Sequence, residues 1–266
     1  MKIAFIGGGN MGEVIISAIL AKGLSTPDNI RVSDIKDERR QYLKQAYGVL
    51  VAGDNRAVAA EGEVVVLAVK PQNLTEVMAE LNGRLKPGQL VLSIIAGARI
   101  DTLRRGLGHN AVVRAMPNTP AKIGQGVSVW TATAEVTGPQ KARAGSILGA
   151  MGREFYVAEE KYLDMATAVS GSGPAYIFLF VEALVEAAVK IGLPQDMASE
   201  LVMQTLLGSG SYLQKSGRAP AELRQMVTSP GGTTAEAIAR FEQGGFKELV
   251  LGAVVAAYEK AQKLGS

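Results

Sequence analysis

The residues best suited to chemistry in this chain are glycines, hydroxyls and one well-spaced carboxylate. Near the start, Gly7-x-Gly9-x-x-Gly12 sits between the apolar run Ile3–Ile6 and a helical pattern beginning at Met11. In that setting Gly7 allows a tight turn, Gly9 lets a pyrophosphate approach the backbone, and Gly12 permits close helix–strand packing. The pyrophosphate would rest on the helix N-terminus, where free N–H groups and the macrodipole favour an anion. Asp34, in "IRVSDIKDERR", lies about 20 residues beyond the third glycine, the spacing at which a carboxylate receives the adenosine ribose diol. Ser33, Lys36, Arg39 and Arg40 stand beside it and could instead cradle the 2′-phosphate of NADP. The pattern therefore assigns a dinucleotide without choosing between NAD and NADP. A second anion seat is suggested late in the chain by "SPGGTTAEAI", where Gly231, Gly232 and the hydroxyls of Ser229, Thr233 and Thr234 interrupt a helical region. Bare N–H groups at the start of the resuming helix would suit an anion. The same letters also spell a capping box, with Thr233 as N-cap and Glu236 at N3.

Such seats need elements to hold them. From residue 1 to about 158, Ile3–Ile6, Ile30–Ser33, Val64–Val69, Leu90–Ile94, Ala111–Arg114 and Gly126–Trp130 read as strands. Between them Met11–Lys22, Asp37–Tyr47, Pro71–Leu81 and Ile100–Leu107 have helical patterning. This alternation, with near-continuous apolar strands such as "EVVVLAV", predicts a parallel sheet covered by helices on both faces. In a doubly wound α/β sheet of this kind, ligands bind outside the carboxyl ends of the strands. "AVKP" (Ala68 to Pro71), "SIIAG" (Ser93 to Gly97) and "MPNTP" (Met116 to Pro120) fall there. Lys70 is thus a candidate cofactor contact, and Asn118, in a loop fixed by two prolines, a wall beside the nicotinamide.

After about residue 160 only helical patterning remains, so the expected domains are 1–158, of Rossmann type, and 159–266, all helical. Gly173-Pro174 reads as an N-cap followed by an N1 proline. From Ala175 to Val189 the helix is apolar almost all round, broken only by Glu182 and Glu186, with Lys190 completing the stripe. A helix apolar on nearly every face must be covered on nearly every face; a second subunit is the expected cover, with the Rossmann half as the alternative. Those charges also argue for a soluble helix rather than a membrane span.

Composition narrows the function classes. The chain has 266 residues, no cysteine, one histidine and a formal net charge of +3. Disulfides, thiolate catalysis and histidine or cysteine metal clusters are excluded, and no metal is expected. A small net charge without a clustered basic face gives no case for nucleic-acid binding. His109, flanked by Gly106, Gly108 and Asn110, reads as a surface turn before a strand. Lys2 runs straight through Ile6 into glycines with no signal-peptide pattern, so the expected location is the cytoplasm.

Taken in order and at their separations, "IGGGNMG", "AVKPQ", "MPNTP", "VSGSGPAY" and "SPGGTTAEAI" closely resemble pyrroline-5-carboxylate reductase over essentially the whole chain. The resemblance implies hydride transfer from NAD(P)H to the ring imine of 1-pyrroline-5-carboxylate, giving L-proline. It implies a Rossmann domain followed by a helical domain that forms interlocked homodimers, assembled further into decamers. Carried over by motif, the cofactor would touch Ile6, Gly7, Gly8, Gly9, Asn10 and Met11, Asp34, Asn55, Ala68, Val69, Lys70 and Pro71, and the Ile95-Ala96-Gly97 turn. The substrate would meet Ser172, Ser229, Gly232, Thr233 and Thr234, with the Thr234 hydroxyl near the ring nitrogen as the candidate catalytic group. Many relatives have a small hydroxyl residue where this chain has Asp34, which leaves NADH open beside NADPH.

The chemistry of an imine fits this inventory. Its reduction needs hydride on carbon and a proton on nitrogen, and a ring imine can arrive already protonated. A β-hydroxyacid dehydrogenase would place a lysine shortly after Gly171-Ser172-Gly173, where Ile177 stands instead. A non-catalytic dinucleotide-binding subunit would have no reason for a second anion seat.

Overall fold

The computed structural model describes residues 1–265 and divides the chain into two units. The first comprises Met1–Ser172 and the chain from Ala257 onward, the second Gly173–Ala256. At the centre of the first unit, strands β1 (Ile3–Ile6) and β4 (Val64–Leu67) are buried at every residue. Burying such a side chain is worth about 1.5–3 kcal/mol relative to leaving it in water, which is why runs as short as "IAFI" and "VVVL" suffice.

Around these two strands the chain lays down α1 (Asn10–Ala21), β2 (Ile30–Ser33), α2 (Asp37–Tyr47), β3 (Leu50–Ala52) and α3 (Asn55–Glu61). After β4 come α4 (Leu74–Leu81), β5 (Leu90–Ser93), α5 (Ile100–Leu107), β6 (Val112–Met116), β7 (Gly126–Ala132), α6 (Gly138–Gly149), β8 (Gly152–Tyr156) and α7 (Lys161–Ala166). The strand order is β3-β2-β1-β4-β5-β6-β7-β8, the doubly wound order extended by two strands. Two core clusters fill the faces, one containing Ile15, Ile16 and Ile19 of α1, the other Val77, Met78 and Leu81 of α4. Ile6 stands opposite both Ser33 and Leu67, so the carboxyl ends of three strands are level where the order reverses.

The expected parallel sheet forms with one exception, β7, which runs antiparallel to β6. The connection between them is a loop with one 3-10 segment, Thr119–Ile123, too short for the crossover that parallel neighbours require. Elements without a strong apolar signal also appear. β3 and β8 are edge strands with mostly accessible residues, and α6 contains Pro139 and two glycines beyond its start. At the start of α6, Thr137 and Gln140 form a reciprocal capping box.

Gly173 is not an N-cap. The chain from α7 continues through a π-turn at Thr167–Gly171 straight into α8 (Gly173–Lys190). Pro174 has no N–H for the carbonyl of Ser170, and the wider turn accommodates the mismatch. Ser172 N instead bonds Thr167 O at 2.8 Å, and the Asn118 side chain donates to the Ser170 carbonyl at 3.1 Å. Nearby, Arg114 of β6 is buried with Asp164 of α7 at 3.1 Å and Glu160 at 2.7 Å, and Arg99 closes on the second Asp164 oxygen at 3.1 Å.

The second unit consists of most of α8, α9 (Gln195–Ser216), α10 (Pro220–Met226), α11 (Thr233–Gln243) and the first part of α12 (Phe246–Leu264). Among its described residues only Ala198 is buried. On α8 itself Ile177, Phe178, Leu179 and Phe180 are all exposed. By length and composition the run Lys161–Lys190 could cross a membrane.

Asp164→Ala should cost about 3–5 kcal/mol in urea unfolding at fixed protomer concentration, because it leaves the buried Arg114 charge partly unpaired. A loss below about 1 kcal/mol would show that Glu160 alone satisfies that arginine.

Candidate active site

At the end of β1 the chain turns through Gly7 with φ +96°, a conformation open to glycine. A side chain there would meet the Ala68 carbonyl at 2.7 Å, so the first loop lies directly against the end of β4. Gly7 N bonds Ser33 O, and Ala68 N bonds Ile6 O, both at 2.9 Å. Gly12 is equally constrained, since its Cβ would lie 2.7 Å from the Gly7 carbonyl. Gly9 differs from both: a Cβ there would have nothing within 4 Å. α1 begins immediately after it without a capping side chain, so its first-turn N–H groups remain available to an anion.

A cleft of about 430 Å³ opens beside this turn, lined by Gly7, Gly9, Asn10, Asp34, Asn55, Ala68, Val69 and Lys70 among others. The Asp34 carboxylate is fixed at its edge, accepting from Gly8 N at 3.0 Å and from Lys36 N at 2.9 Å. Arg40 donates to the Asp34 carbonyl at 2.6 Å and pairs with Asp37 at 2.8 Å. Arg39 is engaged by the Gly8 carbonyl and by Glu13. Both arginines considered for a 2′-phosphate are thus already held by the protein. An open glycine, an uncapped helix and a carboxylate at the far edge together fit a dinucleotide.

In the second unit, Gly231 adopts φ +68° and Gly232 N bonds Ser229 O at 3.1 Å, folding the loop ahead of α11. The expected capping box does not form. Gly232, not Thr233, is the N-cap, and no side chain caps the helix. This turn brings Gly232 into the N-cap position and moves both threonines into the first turn. Thr233 is exposed and Thr234 half-buried. Caps therefore do not account for the threonines, and the first-turn N–H groups of α11 have no side-chain partner.

Residues 160–264 match the family profile described as pyrroline-5-carboxylate reductase dimerisation, and residues 2–97 match one described as NADP oxidoreductase coenzyme F420-dependent. The pyrroline-5-carboxylate reductase of Synechocystis sp. is 41% identical over 100% of this chain and 98% of its own. This chain belongs to the pyrroline-5-carboxylate reductase family. The Pseudomonas aeruginosa reductase is 43% identical over 99% of this chain and 96% of its own. Among solved structures, a pyrroline-5-carboxylate reductase from Coxiella burnetii superposes with a TM-score of 0.92 at 40% identity, covering 100% and 98% of the two chains. Plasmodium falciparum pyrroline carboxylate reductase, solved with NADP bound, gives 0.90 at 32% identity, again over 100% and 98%.

Within this family member the residues expected to hold the cofactor fall into four groups. Gly7, Gly9, Asn10, Asp34, Asn55, Ala68, Val69 and Lys70 share the cleft, with the Asn55 amide donating to Glu80 at 2.6 Å. Ile6 and Gly8 are buried behind the turn, while Met11 and Pro71 flank it without lining the cleft. Ile95, Ala96 and Gly97 form a separate turn after β5, where a Gly97 side chain would strike the Leu264 carbonyl at 2.6 Å. Asn118 uses its amide structurally, its oxygen accepting from Val127 N at 2.9 Å and its nitrogen serving Ser170. His109 is not at the surface. It is buried, and Nε2 donates to the Gln89 carbonyl at 2.8 Å. Gln72, Asn73 and Glu76 also line the cleft and were not singled out from the sequence, since a polar segment after a strand carries no spacing signal of its own.

Two alanine substitutions separate ligand space from packing space. Gly9→Ala should change stability by no more than about 1 kcal/mol yet weaken NADH and NADPH at least about tenfold, which titration would measure. Gly12→Ala should instead lose about 1–3 kcal/mol of stability through overpacking against Gly7.

Proposed function

We propose that this chain reduces 1-pyrroline-5-carboxylate to L-proline with NADH or NADPH, the last step of proline biosynthesis, as a cytoplasmic homo-oligomer. One observation carries the reading: a chain alike end to end to these reductases holds an open glycine turn and an anchored Asp34 at the point where its strand order reverses. The cofactor is held by the 6–11 turn, Asp34, Asn55, residues 68–71 and the Ile95-Ala96-Gly97 turn. Asn118 contributes a fixed wall rather than a free amide.

Bound NAD(P)H supplies a hydride to the imine carbon. The remaining work belongs to the chain's own groups. Backbone N–H groups around Gly232, Thr233 and Thr234 bind the substrate carboxylate at the start of α11, where the dipole favours an anion. Ser229 and Ser172 add hydroxyl contacts. The Thr234 hydroxyl hydrogen-bonds the ring nitrogen and so orients the ring. Because the imine binds with its proton, nitrogen becomes the secondary amine as the C=N π pair moves onto it, and no strong side-chain acid is needed. That agrees with a chain lacking cysteine whose one histidine is bonded to a backbone carbonyl in the core. Positioning carries the rate enhancement.

The exposed apolar helices of the second unit support a homodimer through the C-terminal helices, and from the family resemblance we extend the assembly to decamers.

Oxidation of NADH and NADPH should be followed with pyrroline-5-carboxylate as substrate; no turnover with either cofactor would remove the assignment. Thr234→Ala is expected to lower kcat/KM for the imine by about 10²-fold with cofactor affinity nearly unchanged. Replacing Asp34 by Ser should shift the NADPH/NADH preference toward NADPH, and an unchanged ratio would mean that this position does not select.

A further inference from the structure

Beside the phosphate-binding turn lies a polar cluster that the proposed reaction does not use, and one member, Arg39, also lines the cleft. Arg39 of α2 donates through Nε to the Gly8 carbonyl at 2.5 Å and reaches the Gly9 carbonyl from Nη2 at 3.4 Å. The same nitrogen pairs with Oε2 of Glu13 on α1. Glu13 Oε1 accepts two phenol hydroxyls, Tyr42 at 2.9 Å and Tyr47 at 2.8 Å. The Arg39 guanidinium also lies 5.0 Å from the Tyr42 ring centroid, within cation–π range. Burial opposes ionisation of Glu13, but hydrogen bonds from Arg39, Tyr47 and Tyr42 outweigh it and hold the carboxyl below its ordinary range. Burial, then the bond to Glu13, pushes the Tyr47 phenol up to about 12. At neutral pH the cluster is therefore a carboxylate, a guanidinium and two neutral phenols.

Peptide geometry turns this grip into a constraint on the ligand. In a trans peptide the C=O and the following N–H point to opposite sides of one rigid plane. Pinning the Gly8 carbonyl therefore sets the direction of the Gly9 N–H. The Gly9 carbonyl, which also accepts from Glu13 N at 2.9 Å, sets that of Asn10 in the same way. These N–H groups point opposite to the carbonyls that Arg39 holds, and at Gly9 an added Cβ would meet open space. Glycine peptides are otherwise free to rotate, so an unpinned loop would lose entropy each time it ordered around a pyrophosphate.

We propose that Arg39, locked by Glu13, Tyr42 and Tyr47, is a positioning residue that presets the Gly9 and Asn10 N–H groups for the pyrophosphate, serving NADH and NADPH alike. The inference rests on the dinucleotide reading of the cleft. It differs sharply from the role that an arginine near the adenosine ribose would ordinarily be given, contact with the 2′-phosphate, which would serve NADPH alone.

The test is direct titration of NADH and NADPH with the full-length protein and its Arg39→Met, Arg39→Lys and Glu13→Gln variants, alongside kcat at saturating cofactor. Arg39→Met is expected to raise both Kd values by the same factor, about tenfold or more, with kcat within about twofold. Arg39→Lys keeps the charge but loses the fork that spans two carbonyls, so it should recover little. Glu13→Gln should give a smaller shift, again equal for the two cofactors. Loss of NADPH affinity alone, rescue by lysine, or no change in either Kd would each overturn the proposal. If Arg39→Met does not fold, the equal-loss pattern is read from the other two variants. Failure of the unsubstituted protein to bind either dinucleotide would instead remove the cleft assignment itself.

Discussion

The close approach of Gly7 to Ala68 is the constraint on which the first unit depends. Parallel pairing of β1 with β2 and β4 brings three strand ends level, and the chain leaving β1 must turn within the width of one strand. A side chain at Gly7 would overlap the Ala68 carbonyl at 2.7 Å, and one at Gly12 would overlap Gly7 itself. These two glycines let α1 start directly above the sheet. The start of that helix then becomes the polar floor of the cleft. Packing accounts for Gly7 and Gly12, whereas a Cβ at Gly9 would meet nothing within 4 Å.

The second unit is organised on the opposite principle. Its helices are rich in leucine, phenylalanine and valine, yet Ala198 is the one buried residue among those described. Phe180, Phe241 and Phe246 gather with ring centroids 5.5–6.4 Å apart, but all three remain exposed. Apolar surface of this extent is stable only when something covers it. The match of residues 160–264 to a dimerisation profile says what kind of cover this family uses.

Several polar groups placed in the interior of the first unit are satisfied in sets. Arg114 finds Asp164 and Glu160, His109 finds the Gln89 carbonyl, and Asn118 joins a strand to the π-turn that Pro174 requires. Each set ties together segments far apart in sequence, which is where buried hydrogen bonds confer a unique arrangement. The Glu13–Arg39–tyrosine cluster belongs to the same class, with the difference that its outer edge is the backbone of the glycine turn.

The sequence by itself determined the strands at Ile3–Ile6 and Ile30–Ser33, the helices at Asp37–Tyr47 and Ile100–Leu107, and the glycine turn, because each is written in local periodicity or in a residue type with one conformational use. Pairing direction was not local. The antiparallel β7 depends on a connection too short to cross over, and β3 and β8 are edge strands whose accessible residues carry no alternating pattern. The capping boxes show the limit clearly. Thr137 and Gln140 form one, whereas Thr233 and Glu236, with equal credentials, do not, because Gly231 turns the chain so that Gly232 occupies the N-cap. Arg39 read as one candidate for a 2′-phosphate beside Asp34, and only the fold, by placing Glu13 and the Gly8 carbonyl against it, decided which partners it holds. Side-chain type is local, but the partner that fixes a charge is chosen by tertiary proximity.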